Sequence, residues 1–208
     1  MAVTMLALPG SSYLYQGEEL GLPEVLDLPA AARQDPVFRR TAGRELGRDG
    51  CRVPLPWTDS GRANHGFSAG FGRAVAGPAW LPQPAGWGAY AAASQDADPS
   101  SMLTLYRSAL RARRECLLGI GDRIEWIDDL GDDAVAFDRG TVRVVLNLSG
   151  DPLALPERFI GQRRIQLSSE QDHAQDHAQD HEQDHEQEHA QDRDDPSLVP
   201  PDVAVWLA

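Results

Sequence analysis

Residues 8–21 have the sequence LPGSSYLYQGEELG. The apolar run in front of it, residues 2–8, is stopped by Pro9 and Gly10, and its periodicity does not distinguish a buried strand from the last turns of a buried helix. Residues 12–15 are rich in aromatic side chains, which sheets favour, and Gly17 follows them. This pattern predicts a short buried strand over residues 12–15.

The segment from Glu18 to about Pro99 shows little hydrophobic periodicity, and it holds most of the prolines and glycines of the chain. A loop-like region of this length is uncommon in a compact domain, and such regions tend to be functional where they occur. We therefore look for binding residues in this segment first.

The clearest helix comes next. Asp98 is a suitable N-cap, and Pro99 suits the first helical position. Leucine and tyrosine side chains recur near helical spacing up to Leu117, and Gly119 is a suitable stop. The sequence therefore predicts a helix from residue 99 to residue 117.

From residue 124 onward the pattern changes to short strands and turns. The predicted strands cover residues 124–127, 134–138, 141–148, 165–167 and 203–207. Arg139 and Gly140 are typical of a hairpin turn between the second and third of them. This spacing predicts a small antiparallel β-sandwich. We place the domain boundary so that residues 1–118 form one domain and residues 119–208 the other.

The charge of the chain is unevenly distributed. The formal net charge is −13, but residues 170–195 hold eleven of the 32 acidic residues and one of the 19 arginines. The rest of the chain is nearly neutral, which argues against a nucleic-acid-binding surface. No apolar run approaches the length of a membrane span, so no membrane association is expected.

Cysteine content and the N-terminus indicate the compartment. Cys51 and Cys116 make neither a disulfide framework nor a metal-binding motif. The N-terminus lacks the cationic stretch of a secretory signal. We expect a cytoplasmic protein with two reduced thiols, and no motif in it calls for a cofactor.

Residues 171–192 form a repeat of four residues in which histidines lie four apart. The histidines are His173, His177, His181, His185 and His189. On a helix they would share one face and offer pairs of ligands for Zn, Ni or Cu. The alternative is a solvated surface loop, because the repeat contains no apolar residue larger than Ala. We favour the low-complexity loop, over residues 170–195, and assign no metal site to it.

Two longer motifs carry a family resemblance. The first lies within residues 8–21, and the second is residues 48–57, which have the sequence RDGCRVPLPW and are followed by GFS at 66–68 and WLP at 80–82. In this order and spacing they resemble glycoside hydrolase family 13, the α-amylase superfamily, and within it the α-glucosidase and oligo-1,6-glucosidase branch. The resemblance covers nearly the whole chain except the repeat.

The resemblance implies a (β/α)8 barrel followed by a β-sandwich. On that template residues 2–8 are the end of the seventh barrel helix, residues 12–15 the eighth strand and residues 99–117 the last helix. The expected fold class is therefore α/β plus β, the C-terminal part of a TIM barrel followed by a small antiparallel β-sandwich.

The same resemblance implies which functional residues this chain holds. Retaining glycosidases need two carboxyl groups about 5–5.5 Å apart, and in the family both lie on barrel strands before the matching segment, so we assign no catalytic residue here. The motif at 64–66 has Gly66 where the family's Asn-His-Asp motif has an aspartate, and it stands after the first motif instead of before it. We reject it.

One substrate-binding residue is assigned, Arg52. In the family its counterpart pairs with an aspartate from early in the barrel, and the pair binds the outer hydroxyls of a terminal glucose. For Glu18 and Glu19 we favour structural hydrogen bonding at the end of a strand. The indole rings of Trp57, Trp80 and Trp87 could stack on sugars, although loop tryptophans more often anchor the loop.

These observations lead to one preferred function and two alternatives. The preferred function is that of an α-glucosidase, which cleaves α-linked glucose from the non-reducing ends of oligosaccharides, and we expect this chain to be inactive alone. Its partners would be an oligosaccharide and the missing N-terminal barrel segment. The alternatives are a stand-alone carbohydrate-binding or interaction module and a histidine-rich metal-binding protein.

Overall fold

The computed structural model describes residues 1–62, 64–68, 79–170 and 197–208. The helices are α1 Ala2–Ala7, α2 Pro36–Arg40, α3 Ala92–Gln95, α4 Met102–Leu117 and α5 Glu157–Ile160. The strands are β1 Glu125–Ile127, β2 Ala134–Arg139, β3 Val142–Asn147, β4 Leu153–Ala154, β5 Ile165–Ser168, β6 Leu198–Val199 and β7 Ala204–Leu207. Short 3-10 helices cover Glu18–Leu20, Ala30–Ala32, Asp49–Cys51 and Ala85–Tyr90.

The chain divides into two compact units. The sheet unit comprises Met1–Tyr13 and Leu105–Ala208, and the loop unit comprises Leu14–Thr104. Compact units and family domains need not coincide, so the domain boundary placed between residues 118 and 119 stays a prediction.

The sheet unit is built on five antiparallel strands in the order β1-β2-β3-β7-β5. The hairpin predicted at Arg139 and Gly140 is confirmed, because β2 pairs with β3 and Gly140 has the positive φ of +60° that its turn requires. The antiparallel strands are therefore confirmed. Strands β4 and β6 form a second sheet with only two described strands, and the sandwich stays a prediction.

The central strand β3 is buried on both of its faces. Val142, Val144 and Leu146 belong to an apolar cluster that includes residues of α1 and α4. Val145 points the other way and belongs to a second cluster with Phe159 and other side chains. The alternation follows from the two-residue period of a strand, and burial on both faces explains why four of the six residues of β3 are apolar.

The opening run is a helix, as the resemblance implied and periodicity left open. The indole Nε1–H of Trp206 donates to the carbonyl of Val3, at 3.2 Å. At the other end of α1, Arg113 donates to the carbonyls of Leu6 and Leu8, and Arg139 donates to the carbonyl of Ala7, at 3.0 Å. These arginines bind carbonyls that a helix end leaves without partners.

Two local predictions are wrong. Residues 12–15 have no regular secondary structure and form no ladder with any described segment, and Tyr13 is 86% exposed, so they are not a buried strand. The long helix begins at Met102, because Ser101 accepts a hydrogen bond from the Thr104 N–H, at 3.2 Å, as an N-cap does. Asp98 accepts from Ser100 instead, at 2.8 Å, which closes a turn before the helix.

The loop unit has little regular structure, as its sequence indicated. Its apolar cluster contains five buried residues: Val25, Leu28, Val53, Leu81 and Trp87. Polar side chains connect its short elements. The amide of Gln95 donates to the carbonyls of Leu20 and Tyr90 and accepts from the Leu103 N–H. Within the described residues, the structure has no helix that is both long and apolar enough to cross a membrane.

Candidate functional site

The candidate site is centred on Arg52, which follows the 3-10 helix Asp49–Cys51. One guanidinium nitrogen of Arg52 lies 3.3 Å from the carboxylate of Asp35. The Arg52 side chain is 44% exposed, whereas that of Asp35 is 6% exposed. The guanidinium is therefore held by a buried carboxylate through one nitrogen, while nearly half of the Arg52 side chain is exposed.

Asp35 is held by the main chain on both sides. One carboxylate oxygen accepts from the Val37 N–H, at 2.8 Å, as the N-cap of α2, and the other accepts from the Arg48 N–H, at 2.9 Å. These two bonds, more than the charges of Arg52 and Arg40, hold the pKa of Asp35 below its usual range, although burial opposes them. Asp35 is thus an ionised, fixed partner for Arg52.

Asp49 binds the main chain at Gln34 and Asp35. Its carboxylate accepts from the N–H groups of Gln34 and Asp35, at 2.7 and 2.8 Å. Since Asp49 is 2% exposed, these bonds are made away from water. Asp49 therefore fixes the backbone that carries Asp35, which in turn holds Arg52.

Gly47 and Arg33 complete this framework. Gly47 has a φ of +69°, and a Cβ on it would lie 2.6 Å from the carboxyl carbon of Asp35, so no other residue fits there without displacement. The guanidinium of Arg33 is buried and donates to the carbonyls of Leu26, Leu28 and Leu46. We call residues 26–52 the Arg52 loop. Buried charged side chains form hydrogen bonds with main-chain N–H and C=O groups of this loop and thereby hold its conformation.

Sequence reasoning assigned Arg52 but missed Asp35 and Asp49. The dipeptide Asp35-Pro36 is a usable signal for Asp35, because Asp is a favoured N-cap and Pro suits the first helical position. Asp49 gives no comparable local signal. The partner of Arg52 was expected from an earlier part of the barrel, and the structure provides one from within the loop unit.

The three tryptophans of the loop unit differ in exposure. Trp87 is 4% exposed and lies in the apolar cluster, so it anchors the loop. Trp57 and Trp80 are 51% and 53% exposed. The indole N–H of Trp80 donates to the carbonyl of Arg52, at 3.1 Å, which places this ring beside the candidate site.

Glu19 and the turn at residues 64–66 have structural roles. The Glu19 carboxylate accepts from the Gly17 N–H, at 2.8 Å, a main-chain hydrogen bond of the kind expected for it, although no strand ends there. His65 is buried, has a φ of +50°, and accepts through its carbonyl from the N–H groups of Trp57 and Thr58. This turn supports the backbone of Trp57.

No cluster of three His, Cys, Asp or Glu side chains that could hold a metal ion occurs in residues 1–62, 64–68, 79–170 and 197–208. The histidine repeat, at residues 171–192, lies outside these residues. The metal-binding alternative for the repeat is therefore a sequence-based hypothesis only.

Comparison with known proteins identifies the family. A model of the α-amylase catalytic domain matches residues 1–120, which is more than half of the chain. A "Probable alpha-glucosidase" of Rhizobium meliloti (strain 1021) is 34% identical over 131 residues, which are 63% of this chain and 22% of that protein. The chain therefore corresponds to about a fifth of this relative's length.

Solved structures agree with the family match. The α-glucosyl transfer enzyme XgtA is 28% identical, with a TM-score of 0.68, over 99% of this chain and 34% of that one. The trehalulose synthase MutB from Pseudomonas mesoacidophila MX-45 is 22% identical, with a TM-score of 0.66, over 99% of this chain and 37% of its own, and shows a shared fold. The family resemblance of the two motifs is thereby confirmed: this chain belongs to the α-amylase family, glycoside hydrolase family 13.

Proposed function

We propose that the chain is the C-terminal part of an α-glucosidase that releases α-linked glucose from the non-reducing ends of oligosaccharides, and that Arg52 binds the terminal glucose. The observation that carries this proposal is the geometry of Arg52, whose guanidinium is anchored by Asp35 while its side chain is 44% exposed. An anchored guanidinium offers several donors in a fixed plane and remains charged at any working pH. Neighbouring hydroxyls of a terminal sugar are suitable acceptors.

We propose further that this chain does not catalyse hydrolysis alone. The two buried carboxylates beside Arg52, Asp35 and Asp49, both accept main-chain hydrogen bonds. The lowered pKa of Asp35 keeps it ionised, which does not suit a proton donor to a leaving group. A retaining mechanism would need a nucleophile and an acid from the barrel segment that carries them in the family, with the sandwich attached behind it.

The experiment is a titration of the 208-residue chain with maltose, followed by saturation-transfer NMR, which detects weak binding. Arg52→Ala should weaken binding by about tenfold or more, because charge-assisted hydrogen bonds are each worth about 1.5–3 kcal/mol. Arg48→Ala is the matched control, since Arg48 contacts Asp35 through its backbone N–H, which alanine retains.

Equal affinities of the two variants would contradict the role of Arg52. In a parallel assay, the chain should leave p-nitrophenyl α-glucoside intact. Turnover that persists in a preparation free of contaminating glucosidase would contradict the proposed lack of catalysis.

A further inference from the structure

The loop unit has aromatic rings that are exposed to solvent. Trp80 is 53% exposed, although a tryptophan gains much by burial. Its position is nevertheless fixed at three points. The indole Nε1–H donates to the Arg52 carbonyl, at 3.1 Å, the Trp80 carbonyl accepts from the Gln34 amide, at 3.2 Å, and the ring meets Phe67 edge to face, with centroids 5.2 Å apart.

This combination of restraint and exposure is informative. A tryptophan that only anchors a loop is buried, as Trp87 is at 4%. A tryptophan with no role in packing is not expected to be held by its indole nitrogen, its carbonyl and its ring edge at once. Trp80 therefore presents a rigid apolar surface to solvent. Because the ring is already fixed, a ligand that binds to it does not have to immobilise it, and that entropic cost of binding is avoided.

Arg52, the residue beside the exposed Trp80 ring, indicates which class of ligand suits this surface. Trp80 is hydrogen-bonded to the main chain of Arg52, whose guanidinium is itself anchored by Asp35 and whose side chain is half-exposed. A pyranose ring has one face of C–H groups and a rim of hydroxyls. An indole ring suits the C–H face, and a guanidinium suits the rim, which is the usual division between apolar lining and a few placed polar groups in a small-molecule site.

We propose that Trp80 is a sugar-stacking platform that, together with Arg52, binds one glucosyl unit of an α-linked oligosaccharide. This inference rests on the proposed function, because it adds a second contact to the sugar that Arg52 is proposed to bind. Trp80 acts on the ligand directly, through its ring face. Its bond to the Arg52 carbonyl places the ring beside the main chain of Arg52.

The test separates stacking from positioning by two substitutions of Trp80. Trp80→Phe keeps an aromatic face but loses the indole N–H, and Trp80→Ala loses both. For a platform, Trp80→Ala should weaken maltose binding by about five- to tenfold in the saturation-transfer titration, while Trp80→Phe retains most of the affinity. Equal losses in both variants would show that Trp80 acts through the Arg52 carbonyl and would overturn the platform.

The indole N–H resonances of the five tryptophans provide the second measurement. Maltose should shift the Trp80 resonance and leave that of Trp57, which is 51% exposed in the same unit, nearly unchanged. Comparable shifts of both would indicate non-selective contact with exposed rings and would overturn the proposal. The resonance of buried Trp87 reports whether each variant is folded.

Arg52→Ala distinguishes this inference from the proposed function. Weaker binding in Arg52→Ala with unchanged binding in Trp80→Ala would overturn the platform and leave the function of Arg52 standing. Weaker binding in Trp80→Ala alone would contradict the role of Arg52 and, with it, the joint site of Trp80 and Arg52. A chain that shows no saturation transfer to maltose overturns both.

Discussion

The sheet unit and the loop unit are stabilised in different ways. The sheet unit has a ladder of five antiparallel strands between two apolar clusters of thirteen and eight buried residues. The loop unit has one apolar cluster of five, and its chain is held by buried polar and charged side chains such as Arg33, Asp35 and Asp49. Apolar burial dominates one unit, and satisfaction of main-chain groups by charged side chains dominates the other.

This difference matters for function. The central strand β3 of the sheet unit is buried on both faces and so offers few polar groups to a ligand. The loop unit must bring charged groups close to its main chain in order to hold its shape, and at Arg52 it leaves part of one such group exposed. The candidate site therefore lies in the less regular unit, in which buried charged side chains bond to the main chain.

The largest effect should come from the core of the sheet unit. Phe137 is fully buried, packs in the first apolar cluster and contacts the edge of Trp126, with ring centroids 5.4 Å apart. Phe137→Ala should lower the free energy of unfolding by about 3–5 kcal/mol, as large-to-small core substitutions do. Urea denaturation followed by circular dichroism measures this change.

Leu118→Ala is the control for Phe137→Ala, because Leu118 is 82% exposed. It should change the free energy of unfolding by no more than about 0.5 kcal/mol. Similar losses in both variants would contradict the account of an apolar core as the main stabiliser of the sheet unit.

The two units also differ in how far the sequence predicts them. The apolar residues of Val142–Asn147 and the turn signal at Arg139 and Gly140 made the existence and pairing of β2 and β3 predictable from local pattern. The loop unit has no such period. Its motif indicated Arg52 through family resemblance, but the bonds from Asp49 to Gln34 and Asp35 join residues 15 and 14 positions apart, which local pattern does not encode.

The two local errors have the same origin. Residues 12–15 have the composition of a strand, yet a strand requires a neighbour for its N–H and C=O groups, and no described segment of this chain is paired with them. At the start of the long helix, Asp98 and Ser101 are both good N-caps by type. In the structure Ser101 is the N-cap. Its hydroxyl also donates to the Gln95 carbonyl, at 2.8 Å, a contact that sequence alone does not show.

A smaller effect is expected in the loop unit. Asp49→Ala would leave the N–H groups of Gln34 and Asp35 without their acceptor in a buried position. The cost should be about 1–3 kcal/mol, the penalty for a buried donor left unpaired. Amide hydrogen exchange should show faster exchange at Gln34 and Asp35 in particular.

Glu45→Ala, at an exposed acid of the same loop, is the control for Asp49→Ala and should leave these two amides unchanged. If Asp49→Ala also leaves their exchange rates unchanged, the hydrogen bonds from Asp49 do not hold the loop. The comparison between the two units would then lose its basis.

The smallest effect is a pH dependence at Asp35. Main-chain hydrogen bonds from Val37 and Arg48, followed by the charge of Arg52, lower the pKa of Asp35 in the folded state below its ordinary value of 3.8. Above pH 3.8 the group is ionised in both states, and its stabilising contribution is fully present. As the pH falls below this value, the unfolded chain takes up the proton first, so the contribution is lost through the folded-state pKa.

Asp35→Asn keeps an N-cap but cannot ionise. The difference in unfolding free energy between the unaltered chain and Asp35→Asn should therefore be largest near neutral pH and shrink in acid, as measured by urea denaturation across this range. The other carboxylates titrate in both proteins and cancel in the difference. A difference that stays constant into acid would mean that an amide serves the Arg52 loop as well as the carboxylate does, and that charge is not what distinguishes the loop unit from the sheet unit.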